Sequence, residues 1–290
     1  MSNLWNGTLP PNRKKGVKRD KITNIVNRCN SIRSVQELID EKYWDELAAT
    51  QWHKNKRNWF KYIYDQDGVG SCAAESGTGL KAGLDASQNL PLIIYNPWSV
   101  YWYTSGGRDQ GSVIGDNVEY LRDKGVCPEE VWPRSKGWRS EPNSQAKELA
   151  KLFRIVDFFY IETIQELVSA LLQGFCIHAG YSGHAIVLVA YLGKGQLLFC
   201  NSWDKSWGDN GFGKLSLSSV YFPYGAYAYK NVIRWTPDQW KPKYNQEALG
   251  KAVTKFIDHT QTKYGVWGDR VENWREETYN NTLASCRLSV

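Results

Sequence analysis

Three residues far apart in the chain are of the right types for nucleophilic chemistry: a cysteine in "GVGSCAAES" (Cys72), a histidine in "YSGHAIVL" (His184) and an asparagine in "FCNSWDKSW" (Asn201). A thiol is a weak nucleophile near neutral pH unless a helix N-terminus, an imidazolium, or both stabilise its thiolate. Cys72 opens a run of small residues with Leu80 and Leu84 at helical spacing, which predicts a helix with the sulfur at its N-terminus. His184 opens a very apolar strand directly after a turn. Asn201 ends the next strand, where a side-chain amide can accept from one ring nitrogen while the other faces the thiol. Taken singly, a buried cysteine is more often plain packing and a strand-end histidine more often structural. Only the combination argues for chemistry.

The elements that must position these residues are readable in outline. Residues 1 to about 30 are polar, basic and Pro-containing, and are expected to form an extended, solvated arm. Ser34 and Glu37 have capping-box spacing ahead of Leu38, Ile39 and Tyr43, predicting a helix from Val35. Helices are also expected over "GDNVEYLRDKG", closed by Gly125, over "NSQAKELAKLF", and over "TIQELVSALLQG". In the last, Ile164, Leu167, Val168, Leu171 and Leu172 form one apolar face, with Thr163 and Glu166 as capping box and Gly174 as stop. The period then changes to that of strands, in "FCIHAGY", "HAIVLVAYL", "QLLFCNSW", "GFGKLSL" and "AYAYKNVIRW". Helices first and antiparallel strands second predict an α+β chain of two lobes. Ala248, Leu249, Ala252, Val253, Phe256 and Ile257 mark a further amphipathic helix in a Trp-rich extension, residues 236–290.

Composition limits the function classes. The 290 residues are 42% hydrophobic, enough for a real core, and a net charge of +6 is too weak and dispersed to imply nucleic acid. No stretch approaches the length of a membrane span, and the N-terminus lacks the apolar core of a signal peptide, so the chain is expected in the cytoplasm or carried in a virus or phage particle. The six cysteines and four histidines form no metal-ligand spacing, so neither metal nor cofactor is expected.

Cys, then His, then Asn followed by Ser-Trp resembles a papain-like cysteine peptidase of the cathepsin type. "NSWDKSWGDNGFG" is similar to that family's Asn-Ser-Trp-Gly segment, the stretch around Cys72 to its active-site segment with Gln66 six residues upstream, and "GSVIGDNVEYLRDKGVCPEEVWP" to a form associated with prokaryotic and viral members. The resemblance implies a two-lobe fold, with a helical left lobe and an antiparallel, barrel-like right lobe, over residues 50–235. N-terminal (1–49) and C-terminal (236–290) extensions would flank it. It implies that Cys72 is the nucleophile, His184 the acid/base, Asn201 the orienter of the imidazole and Gln66 a donor to the oxyanion. Trp203 would cover the Asn201–His184 contact, and Gly111 and Ser112 would line the substrate side of the cleft. A polypeptide would then be cleaved through a thioester.

Several positions depart from the pattern. Val69 stands where a disulfide cysteine is usual, Ala73 where an aromatic residue follows the nucleophile, and Asp204 where Gly follows Asn-Ser-Trp. The segment before His184 is short, which predicts an open cleft. The region preceding residue 50 is short for a complete inhibitory prosegment, so activation by removal of a large propeptide is not expected. The alternative is a structural or interaction protein, for example a virus or phage particle component built on the same fold. In that reading residues 1–30 and 236–290 attach it to a protein assembly.

Overall fold

The computed structural model describes residues 4–49, 54–220 and 222–234. Its helices are α1 (Ile22–Arg28), α2 (Trp44–Ala49), α3 (Cys72–Ser87), α4 (Trp98–Thr104), α5 (Ile114–Asp123), α6 (Ser144–Ala150) and α7 (Ile164–Leu172). A short parallel pair, β1 (Val17–Lys18) and β2 (Ser112–Val113), stands apart from the main sheet. That sheet contains β3 (Phe153–Tyr160), β4 (Ile177–Tyr181), β5 (His184–Gly193), β6 (Gln196–Cys200), β7 (Phe212–Ser216) and β8 (Ala226–Arg234), in the order β3-β8-β4-β5-β6-β7 and antiparallel throughout. The α+β class is as expected. The barrel-like lobe is instead an open sheet, because β3 and β7 do not pair among the described residues.

Local chemistry accounts for most element ends. Thr163 and Glu166 make the reciprocal capping box that starts α7, and α7 packs on β5 through a core that includes Leu167, Leu171, Ile186 and Leu188. Gly125, at φ +82°, ends α5 where a Cβ would lie 2.0 Å from the Ala150 carbonyl oxygen. α3 is buried along most of its length between α5 and β5, so its N-terminal cysteine is carried by one of the most enclosed elements. The β4–β5 hairpin turns on two residues, Ser182 and Gly183, both at positive φ, which gives the short wall anticipated ahead of His184.

Three further expectations need correction. The Ser34–Glu37 box does not form: Ile32–Ser34 is a single 3-10 turn, and the helix comes later, at Trp44–Ala49. The reading of "NSQAKELAKLF" as one helix runs past its end, since α6 stops at Ala150 and Phe153 begins a strand. α4 and β3 were not expected. The N-terminal arm is extended only as far as α1 (Ile22–Arg28), which falls inside it, and it packs against the domain rather than running free in solvent. Its residues 5–18 lie across the molecule, from β7, where the Trp5 N–H donates to the Lys214 carbonyl at 2.7 Å, to β2. The amphipathic helix expected around Ala248–Ile257 lies outside the described residues.

Candidate active site

Cys72 begins α3 and is fully buried. His184 begins β5, one strand from Asn201, which follows the end of β6. The His184 Nε2 to Asn201 Oδ1 distance is 2.7 Å. Asn201 Oδ1 also accepts the Ser202 N–H at 2.8 Å, so it is an acceptor toward the imidazole as well. That places the ring proton on Nε2 and leaves Nδ1 as the bare nitrogen, which has no hydrogen-bond partner. Trp203, 1% exposed, stacks on the His184 ring with centroids 4.5 Å apart, shielding the imidazole rather than offering a face to substrate. Trp203 also fixes Gln66. Its indole N–H donates to Gln66 Oε1 at 3.0 Å and Ser202 Oγ donates at 3.1 Å, turning Gln66 Nε2 toward the cleft.

The cleft between these residues is occupied by the chain's own residues 5–18. Gln66 Nε2 donates to the Lys14 carbonyl at 3.1 Å, and to that of Val69 at 2.7 Å. The Ser112 N–H donates to the Gly16 carbonyl at 2.8 Å, and the Val17 N–H donates to the Gly183 carbonyl at 3.2 Å. The strap therefore bonds to both walls, one beside Gly111 and Ser112, the other beside His184. It fits because three glycines meet. A Cβ on Gly16 would lie 2.0 Å from Gly70 O, and one on Gly111 would lie 2.2 Å from Gly16 O. Trp5 closes the far end against Tyr181, His184, Phe199, Trp203 and Trp207, with centroid separations of 5.3–6.1 Å. Two of the strap's cations are paired: Arg13 with Asp65, and Lys14 Nζ with Asp109 Oδ2 at 2.6 Å.

This covering sets the electrostatics. Burial pushes the Cys72 thiol up to about 11, against backbone hydrogen bonds from Ala185, Gly16 and Ala73. Burial brings the His184 imidazole down to about 4, against its bond to Asn201. Both shifts favour the neutral forms, so the thiolate–imidazolium pair expected from sequence is absent in this closed arrangement, and the thiol and Nδ1 share no hydrogen bond. The group presented to the sulfur is the Gly16 N–H, while the carbonyl at Gln66 belongs to Lys14.

Sequence reasoning missed two residues behind the site. Glu75, buried on the first turn of α3, accepts a bidentate pair from Arg134 at 3.0 and 3.2 Å and a bond from Ser71 Oγ at 3.1 Å. Arg134 also donates to the Asp65 carbonyl and lies over the Trp98 ring, 4.3 Å from its centroid. Burial raises the Glu75 carboxyl to about 7 in spite of Arg134. The pair ties the helix bearing Cys72 to the loop bearing Gln66. A charged residue in the small-residue run after Cys72 was the available signal. Among the described residues no cluster of His, Cys, Asp and Glu could hold a metal ion, and no helix is long and apolar enough to cross a membrane.

No protein-family model matches the chain, and no curated protein sequence matches it. Solved structures do. Xylellain, a cysteine protease from Xylella fastidiosa, is 19% identical with a TM-score of 0.56, over 77% of this chain and 99% of that one. The digestive procathepsin L2 proteinase from Tenebrio molitor larval midgut is 14% identical with a TM-score of 0.58, over 76% and 79%. The ragweed pollen allergen Amb a 11, a cysteine protease in its proform, is 14% identical with a TM-score of 0.51, over 74% of each chain. At these identities the likeness is one of fold: the chain has a papain-like fold.

Proposed function

We propose that this chain is a papain-like cysteine peptidase of prokaryotic or viral type, held latent by its own N-terminal segment. The observation that carries the reading is that Gln66 Nε2 already donates to a peptide carbonyl within a cleft that brings Cys72 and His184–Asn201 together. With the strap displaced, water re-enters and the ion pair becomes accessible: the proton of Cys72 Sγ passes to His184 Nδ1, and Asn201 holds the Nε2 side. The thiolate adds to the scissile carbonyl carbon. Gln66 Nε2 and the Cys72 N–H donate to the oxygen that becomes negative. The imidazolium then protonates the departing amine, leaving a thioester on Cys72. His184 Nδ1 takes a proton from water, hydroxide adds to the thioester, and the thiol returns as the carboxylic acid leaves.

A segment of fewer than 20 residues closes the cleft without a complete prosegment, because it needs no fold of its own. It borrows backbone partners from both walls. The procathepsin and proform states of two similar structures agree with a latent reading. A role for residues 236–290 in attachment to a protein partner stays part of the proposal on composition alone. The test is degradation of denatured casein by the full chain carrying Gly16→Ala, which clears the slot without altering Cys72, His184, Asn201 or Gln66. Cleavage lost on adding Cys72→Ser supports the reading. A folded Gly16→Ala chain whose Cys72 alkylates rapidly, yet which cleaves nothing, overturns it.

A further inference from the structure

The strap shows more than closure, because its side chains are read by the cleft. Asp109 lies at the slot through which the strap passes. Its Oδ1 accepts the Gly70 N–H at 2.7 Å and the Tyr101 O–H at 2.9 Å, and the same Tyr101 oxygen accepts the Gly111 N–H at 3.1 Å. The carboxylate is thus fixed to both glycine walls by groups of the domain itself. Its other oxygen, Oδ2, faces the strap and holds Lys14 Nζ at 2.6 Å. Across Gln66, Asp65 holds Arg13 through both carboxylate oxygens and accepts the Asp67 N–H at 2.9 Å. Lys15 reaches only a hydroxyl, Ser182 Oγ, at 3.3 Å.

We infer that the cleft selects polypeptides carrying a basic residue beside the scissile bond, with Asp109 Oδ2 as the principal acceptor and Asp65 as the second. This rests on the peptidase reading above. What remains when the strap leaves decides the preference. The bonds from Gly70 and Tyr101 to Asp109 do not involve the strap, so a carboxylate that is 15% exposed with the strap in place stays oriented at the slot, facing whatever polypeptide replaces Lys14. A partly enclosed carboxylate without a cation is costly, and a neutral side chain leaves that cost unrelieved. Of the two acceptors, Asp109 ranks first because Asp65 is more exposed, at 34%, and better able to exchange its partner for water.

The experiment uses the full chain with Gly16→Ala and fluorogenic peptides that differ only in Lys against norleucine, placed in turn at the three positions on each side of the cleaved bond. We expect kcat/KM to favour Lys about tenfold at one position, the scale of a single charge-assisted hydrogen bond. Adding Asp109→Asn, which keeps an acceptor for Gly70 and Tyr101 but removes the charge, should bring that ratio close to one. Equal cleavage of Lys and norleucine peptides at every position overturns the inference and leaves the peptidase reading intact. A ratio unchanged by Asp109→Asn overturns the assignment to Asp109. Cleavage of no peptide at all is a failure of the peptidase reading and of this inference with it. If Gly16→Ala does not fold, the full chain with Trp5→Ala, which removes the strap's contacts with five aromatic rings, serves for the same comparison.

Discussion

In the closed chain Cys72 and His184 are both neutral, and for the same reason: burial disfavours the charged form of each. The thiol titrates near 11, so alkylation of Cys72 in the full chain should be slow at pH 7 and should rise steadily toward pH 10, followed by mass spectrometry of the modified peptide. A rate already at its plateau at pH 7 would mean that the thiolate survives beneath the strap. Gln66 carries a second expectation. In the unlatched chain, Gln66→Ala should lower kcat by about 10²–10³ with little change in KM, because its Nε2 matters most once the oxygen is negative. Cys72, His184 and Asn201 were singled out in the sequence because each sits at the end of a regular element, and Gln66 through the resemblance of the segment around Cys72. Their protonation states were not legible there. Those depend on the covering segment, which is distant from all of them in sequence.

At the scale of elements, Glu75 and Arg134 join α3 to the Gln66 loop, and removing one partner strands the other. Arg134→Met should cost about 3–5 kcal/mol at pH 8, measured by denaturant unfolding. It should cost less at pH 5, where Glu75, raised to about 7, is protonated in the folded protein. An equal loss at both pH values would show that the charge of Glu75 is not what Arg134 compensates. The strap offers a comparison of effects. Its ion pairs are partly exposed, with the Lys14 side chain at 58%, and such pairs contribute little and are screened by salt. Trp5 contacts five aromatic rings, each worth about 0.5–1.5 kcal/mol beyond burial. Trp5→Ala should therefore speed Cys72 alkylation more than a rise from 0.05 to about 0.5 M salt does; the reverse order would make the hold electrostatic. α7 and the strands β4–β7 were readable because hydrophobic period and caps agree there. α4, "WSVYWYT", was missed because aromatic and β-branched residues disguise the helix, which follows Pro97 and whose Trp98 N–H donates to Asn96 Oδ1 at 3.0 Å. β3 follows α6 with no Gly or Pro between them.

For the whole molecule, two buried neutral histidines couple folding to pH. Burial brings His178 to about 3 and His184 to about 4, both well below the unfolded value of about 6.5. The unfolded chain therefore binds more protons below about pH 6.5, and stability should fall from there toward pH 4. Glu75 acts with the opposite sign but is a single group, so the net slope stays unfavourable on acidification, at about 1 kcal/mol per pH unit between pH 6 and 5. Denaturant midpoints at pH 7, 6 and 5 check this, and a flat series would contradict it. The strap is the feature least legible from the sequence, since its basic, Pro-containing composition reads as solvated. What orders it is non-local, namely Gly70, Gly111, Ser112 and Gly183, which only the folded chain brings to one slot. The most direct test compares the rate of Cys72 alkylation by iodoacetamide at pH 6.5 in the unmodified full chain and in the chain with Gly16→Ala. A Cβ at Gly16 cannot be seated against the Gly70 carbonyl, so the account predicts a rise of about tenfold or more, confined to Cys72. Equal rates in two folded proteins would mean that residues 5–18 do not close the site.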